Sequence, residues 1–190
     1  TLRSLPQEQF SSGMGEIIKH GLIKDAGYYE WLFDHAARIR EKDMNTLEEM
    51  VAVSNQIKRE VVEKDPTEQG ERALLNFGHT LGHAIEKLSG FSLFHGHCVG
   101  LGCLAAMDIS IRRGLLPEKE RSRLMEIMKF FQMPVTVNRL TEKEIVRAHK
   151  KKKMDSGTIR FILLDQIGKA YIDKTVTEAE MEEGLRRILT

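Results

Sequence analysis

Residues 95–111 read H-G-H-C-V-G-L-G-C-L-A-A-M-D-I-S-I, and no other run constrains the fold as much. Between Val99 and Ile111 apolar or small residues fall on nearly every side of a helix, so no broad face is left for water. A helix of that kind belongs at the centre of a domain, with other helices packed around it. Gly100, Gly102, Ala105 and Ala106 would let those neighbours come close.

The rest of the chain supplies the neighbours. Residues 7–23 have helical period, with a break expected near Gly13 and Gly15. Tyr28, Trp31, Leu32, His35 and Ile39 are spaced for one face of a helix over 27–41. Thr46 is placed to cap a helix from Leu47 to about Lys64, with Met50, Val53, Ile57 and Val61 on one stripe. Asp65-Pro66-Thr67 ends it, because a residue before proline is pushed out of the helical region. Residues 70–89 predict one further helix, closed by Gly90. Pro117 opens an amphipathic helix to about Phe131. Thr141 opens another, with Glu144 completing a capping box. Thr158–Leu164 and Ala170–Ile172, joined by a turn at Gln166–Gly168, predict a two-stranded hairpin. Glu178–Leu189 closes the chain as a helix. There is no internal repeat and no βαβ alternation. The expected fold is mainly α: one multi-helical domain over residues 1–190 with a small β-hairpin near the C-terminus.

Charge and composition exclude several function classes. A net charge of +1 creates no global field for nucleic acid or a membrane surface. No apolar run reaches the roughly 18–20 residues that span a bilayer, and T-L-R-S-L-P-Q-E-Q-F does not read as a signal peptide. Two cysteines, Cys98 and Cys103, make no disulfide framework, so a reducing cytoplasm is the expected setting. The chain starts without Met and enters mid-fold, which suggests an excised piece.

Chemistry concentrates in a few segments. In N-F-G-H-T-L-G-H-A-I-E, residues 76–86, His79 and His83 share a helix face at i, i+4. They could hold one metal together, or one could hold metal while the other meets a substrate; on a solvated face they would do neither. Gly78 and Gly82 each cost a helix interior roughly 1 kcal/mol, which points to close approach of a backbone or ligand. His95-Gly96-His97 could add a third imidazole to a zinc-like set, or form a plain surface loop. In S-S-G-M-G-E-I-I-K-H-G, residues 11–21, a glycine-rich phosphate loop is a weak reading, since the sixth-position glycine and a preceding strand are missing. Glu16 and Lys19 could instead share a face, as metal ligand and hydroxyl donor or as a surface ion pair. Arg72, Asn76, His79 and His83 would form one polar stripe on a continuous helix, suited to a carboxylate or phosphate if it points inward. Lys150–Lys153 is a solvated face or the source of one phosphate-binding charge.

These segments together carry a family resemblance. G-E-I-I-K-H-G, the long motif from Lys58 through N-F-G-H-T-L-G-H-A-I-E, and the following H-G resemble the helical C-terminal domain of 3-dehydroquinate synthase, over nearly the whole chain. The resemblance implies a phosphorus–oxygen lyase of the shikimate pathway, in aromatic amino-acid biosynthesis. It would convert 3-deoxy-D-arabino-heptulosonate 7-phosphate to 3-dehydroquinate and phosphate, using NAD and a divalent metal, zinc or cobalt. In the family, bound NAD transiently oxidises the carbon-5 hydroxyl; phosphate is eliminated, the ketone is reduced again, and the ring opens and recloses by an aldol step. The implied metal ligands are Glu16, His79 and His95. Lys19, Lys58 and Glu68 match positions around the substrate hydroxyls, and Arg72 and Lys58 positions near its carboxylate. Asn76, His83 and Lys152 match positions near its phosphate, so His83 would touch substrate rather than metal.

The chain departs from the family pattern at four points. Gly15 stands where Ala is usual, a small-for-small change. His97 stands where the family has Glu, which removes an acid near the metal and makes His97 a rival to His95. Lys151-Lys152-Lys153 replaces D-K-K. The family's N-terminal NAD-binding domain is absent from the 190 residues, so the chain alone is expected not to turn over. The family is commonly homodimeric. Two other readings stay open: another sugar-phosphate cyclase, or an inactive metal-binding or dimerisation domain.

Overall fold

The computed structural model describes residues 2–66, 70–153 and 160–190, with side chains up to Lys150 in the second stretch. The apolar run becomes α6, His95–Arg112, and every residue from Gly96 to Ser110 is buried. Around it pack α1 (Gln7–Lys24), α5 (His79–Leu88), α7 (Glu118–Phe130), α9 (Glu178–Leu185) and strand β1 (Phe161–Gln166). The remaining helices are α2 (Ala26–Asp34), α3 (Ala36–Arg40), α4 (Met44–Lys64) and α8 (Glu142–Lys153). Short 3₁₀ segments cover Leu2–Ser4 and Glu71–Asn76. The described residues form a mainly helical domain with one hairpin, as expected, and no helix among them is long and apolar enough to cross a membrane.

The hairpin pairs β1 antiparallel to β2 (Lys169–Asp173), from Phe161 opposite Asp173 to Leu164 opposite Ala170. Phe161–Leu164 are buried. The hairpin is tied to the centre by the Leu164 N–H, which donates to Ser110 Oγ at 3.1 Å. Gly168 in the turn donates to the Leu22 carbonyl at 2.9 Å, anchoring the other side to α1.

Several local expectations change in the folded chain. α1 runs unbroken through Gly13 and Gly15. The 27–41 helix divides into α2 and α3 at His35, whose φ of −107° leaves the helical region. The cap of α4 is Asp43, not Thr46: its carboxylate accepts from the Thr46 N–H at 3.0 Å and from Thr46 Oγ1 at 2.6 Å. α9 ends at Leu185, and Leu189 beyond it bridges to Val137, whose N–H donates to the Ile188 carbonyl at 2.7 Å and whose carbonyl accepts from the Thr190 N–H at 3.1 Å. The largest change is at 70–89, which is not one helix. A 3₁₀ segment gives way at Phe77 and Gly78, and α5 starts at His79.

Candidate metal centre

Two glycine contacts bring distant segments to one point. A Cβ on Gly15 would lie 2.2 Å from the Gly96 carbonyl oxygen, and a Cβ on Gly96 would lie 1.8 Å from the Ser12 carbonyl oxygen. Only hydrogen at both positions lets the first turn of α6 touch the backbone of α1. The Gly96 N–H also donates to Ser12 Oγ at 3.0 Å. Glu16 and His95 each neighbour one of these glycines and are therefore set side by side. Further along α6, Gly78 takes φ +77°, and a Cβ there would meet the Val99 carbonyl oxygen at 2.6 Å. A Cβ on Gly82 would lie 2.7 Å from the Cys98 carbonyl oxygen. These glycines thus serve backbone packing of α5 on α6, rather than the polar site itself.

The result is a convergence of donors. Glu16 Oε1 lies 3.4 Å from His79 Nε2 and 3.5 Å from His95 Nε2. The ligand nitrogens of His79, His83 and His95 all lie within 4.8 Å of one another. A tetrahedral zinc with ligand atoms at about 2.1 Å holds them about 3.4 Å apart, the spacing found between Glu16 and the two imidazoles.

Hydrogen bonds behind the rings fix which nitrogen faces inward. His79 Nδ1 donates to the Phe77 carbonyl at 3.2 Å, and His95 Nδ1 donates to Glu86 Oε2 at 3.2 Å. In a neutral imidazole with Nδ1 protonated, Nε2 carries a lone pair. Two such lone pairs and a carboxylate oxygen then face one another, an arrangement that needs a shared cation, either a proton or a metal ion. The donor set of one carboxylate and two imidazoles fits a divalent ion such as zinc, with room for further ligands. Burial works to raise the Glu16 pKa. The His79 hydrogen bond and the Lys19 ammonium outweigh it and hold the carboxyl well below the usual carboxylate range. Neither cysteine joins the imidazole cluster, and burial pushes the Cys103 thiol up, and that of Cys98 up to about 12.

Lys19 is buried, donating to Glu16 Oε2 at 2.6 Å and to the Leu75 carbonyl at 2.8 Å. His83 stands one turn along α5 from His79, with ring centroids 5.0 Å apart. Asn76 ends the 3₁₀ segment just before the Gly78 break. Arg72 does not continue a stripe through His79, because the chain turns at Gly78; its guanidinium Nη1 donates to the Pro66 carbonyl at 2.8 Å. Lys58 is exposed on α4, within electrostatic reach of His20 on α1. Glu68 lies outside the described residues, as does the side chain of Lys152 in the last turn of α8.

His97, the possible rival ligand, is buried against α1, with Nε2 3.0 Å from Ser11 Oγ. It packs edge-on to Phe94 and does not join the three clustered imidazoles. The S-S-G-M-G run is helix, not a phosphate loop. Glu86 was missed: it belongs to the quoted motif, seven residues after His79 on the same helical face, and that spacing was the available signal. His20 was also missed. It is buried and its Nδ1 lies 2.7 Å from Ser54 Oγ, joining α1 to α4.

Comparison with known proteins gives a consistent picture. Residues 13–154 match the family model described as 3-dehydroquinate synthase C-terminal. The 3-dehydroquinate synthase of Acidithiobacillus ferrooxidans is 36% identical over 191 residues, covering 100% of this chain and 52% of that protein. That of Shewanella pealeana is 39% identical over 185 residues, covering 96% and 52%. The chain thus spans about half the length of these curated relatives. Among solved structures, a 2-epi-5-epi-valiolone synthase from Streptomyces hygroscopicus with NAD+ and Zn2+ bound superimposes with a TM-score of 0.89 at 26% identity, covering 97% of this chain and 52% of that one. A 2-deoxy-scyllo-inosose synthase complexed with carbaglucose-6-phosphate, NAD+ and Co2+ shares the fold, with a TM-score of 0.76 at 21% identity over 96% of this chain and 52% of that one.

Proposed function

Because this chain belongs to the 3-dehydroquinate synthase family, through its C-terminal domain, we propose that it is the metal- and substrate-holding part of such an enzyme. The reaction is the conversion of 3-deoxy-D-arabino-heptulosonate 7-phosphate to 3-dehydroquinate and phosphate. An NAD-binding part would complete the enzyme, which we take to be cytoplasmic and homodimeric. The observation that carries this reading is the convergence of Glu16, His79 and His95 from three separate segments at the spacing of a metal's ligands.

The roles follow from the geometry. Glu16, His79 and His95 would hold a divalent ion; when bound, that ion supplies Lewis acidity to substrate hydroxyls. Glu16 brings a full negative charge to the set, since the Lys19 ammonium bonded to its other oxygen favours the ionised carboxylate. An ammonium has three donors, and the Lys19 bonds to Glu16 and to the Leu75 carbonyl account for two of them. The third is proposed to orient a substrate hydroxyl beside the carboxylate. His83, adjoining both His79 and His95, is proposed to meet the substrate phosphate together with Asn76 and Lys152. Lys58 and Glu68 are assigned to the hydroxyls, and Arg72 with Lys58 to the carboxylate. Arg72 would have to turn from the Pro66 carbonyl to act there. A second reading, another sugar-phosphate cyclase, draws support from the close backbone match to the valiolone synthase.

The test is phosphate release from the heptulosonate phosphate, with NAD and zinc supplied. This chain joined to a family NAD-binding domain is expected to turn over, and this chain alone is not. Activity of the chain alone would overturn the division of labour. A joined enzyme that releases no phosphate here, yet cyclises a non-acidic sugar phosphate, would favour the second reading.

A further inference from the structure

We propose that Glu86 is a positioning residue for His95, setting the imidazole's tautomer and direction so that Nε2 faces Glu16. The inference rests on the reading of Glu16, His79 and His95 as a metal's ligands.

His95 is the least buried of the three, with 45% of its side chain exposed against 14% for His79. It stands in the first turn of α6, where the helix supplies no ring partner of its own. A half-exposed imidazole rotates about χ2 and exchanges its two nitrogens unless something holds it. Glu86 does this from a different helix. Its Oε2 accepts from His95 Nδ1 at 3.2 Å, and the carboxylate is 19% exposed, well shielded beneath the ring. An ionised carboxylate can only accept, so the bonded Nδ1 must carry the proton and Nε2 must carry the lone pair. His79 is held in the same sense by the Phe77 carbonyl. The two ligand imidazoles therefore use different anchors, one backbone and one carboxylate, and only the second is removable by substitution.

His97, two residues after His95, is turned towards α1, with Nε2 3.0 Å from Ser11 Oγ. The acid beside His95 comes from α5, on the same helical face as His79 and His83. Hydrogen-bond partners behind a metal's imidazoles commonly contribute 10–100-fold to affinity by fixing orientation and raising basicity.

Zinc affinity of this chain, measured by chelator competition, tests the idea, alongside the visible spectrum of the Co2+-loaded protein. E86A is expected to weaken zinc binding about 10–100-fold and to shift the cobalt bands. E86Q, which keeps an accepting oxygen without the charge, should fall between E86A and the parent. In a His95→Ala background, E86A should cost less than about twofold, since the residue it positions is gone. The proposal is overturned if E86A binds zinc within twofold of the parent with the same cobalt spectrum. It is equally overturned if E86A weakens binding as much without His95 as with it. If E86A fails to fold, E86Q decides: parent-like affinity and spectrum would sink the idea. Zinc binding that survives E16A and H79A unchanged would instead show that the ligand assignment itself is wrong.

Discussion

Single side chains decide whether the polar cluster can hold an ion. Removing Glu16 takes away the only negative ligand of the proposed set and leaves Lys19, an ammonium with a side chain 3% exposed, without its 2.6 Å partner. Glu16→Ala and His79→Ala are each expected to lower zinc affinity by at least 100-fold in a chelator-competition titration; parent-like binding by both would refute the assignment. His20 makes a second prediction, about pH. Burial first, and the neighbouring Lys19 charge second, lower its pKa from 6.5 to about 4, so the folded chain keeps this imidazole neutral. As pH falls below 6.5 the unfolded chain takes up a proton that the folded chain refuses. The contribution is therefore intact above pH 6.5 and lost progressively towards pH 4, with a total on the order of 3 kcal/mol. His20→Gln should flatten the fall in melting temperature between pH 6.5 and 5, and an unchanged slope would remove His20 as its source. The identity of these residues was legible in the sequence, whereas the environment that perturbs them was not. Glu86 illustrates the difference: its spacing put it on the His79 face, but only the start of α6 beside it gave it a partner.

Between elements, glycine controls approach. Gly96 and Gly13 make a matched pair. A Cβ on Gly96 runs into the Ser12 backbone at 1.8 Å, while one on Gly13 meets nothing within 4 Å. Gly96→Ala is expected to destabilise by about 1–3 kcal/mol or more and to weaken zinc binding by separating Glu16 from His95. Gly13→Ala, in the middle of α1, is expected to stabilise by about 0.5–1 kcal/mol. Thermal melts of both variants check the pair; a stabilised Gly96→Ala would mean that α1 and α6 do not meet backbone to backbone. The same kind of contact explains why a continuous helix over 70–89 fails. Helical period persists through the sequence, but α6 comes so close at Gly78, where φ is +77°, that the chain turns there; Gly78 and Gly82 signal a close approach without saying which segment makes it.

Across the whole molecule, α6 is the common partner, and its charges are satisfied by remote segments. Asp108, on buried α6, bonds Arg121 of α7 at 2.9 Å and Arg187 near the C-terminus at 3.0 Å. Arg121→Ala leaves Asp108 with one partner in a dry setting and is expected to cost about 3–5 kcal/mol in denaturant unfolding. A loss under 1 kcal/mol would show that Arg187 alone suffices. Metal should add to stability as well: zinc at 100 times its dissociation constant is worth about 2.7 kcal/mol, so chelation should lower the melting temperature reversibly. Period, caps and composition act over a few residues, and they suffice for the helical class, the central place of residues 95–111, the hairpin, and the residue types that carry chemistry. How Glu16, His79 and His95 meet, that Glu86 backs His95, that His97 turns away, and where the 70–89 segment breaks all arise in the folded chain. Those outcomes depend on backbone approach between segments far apart in the chain, which no local pattern encodes.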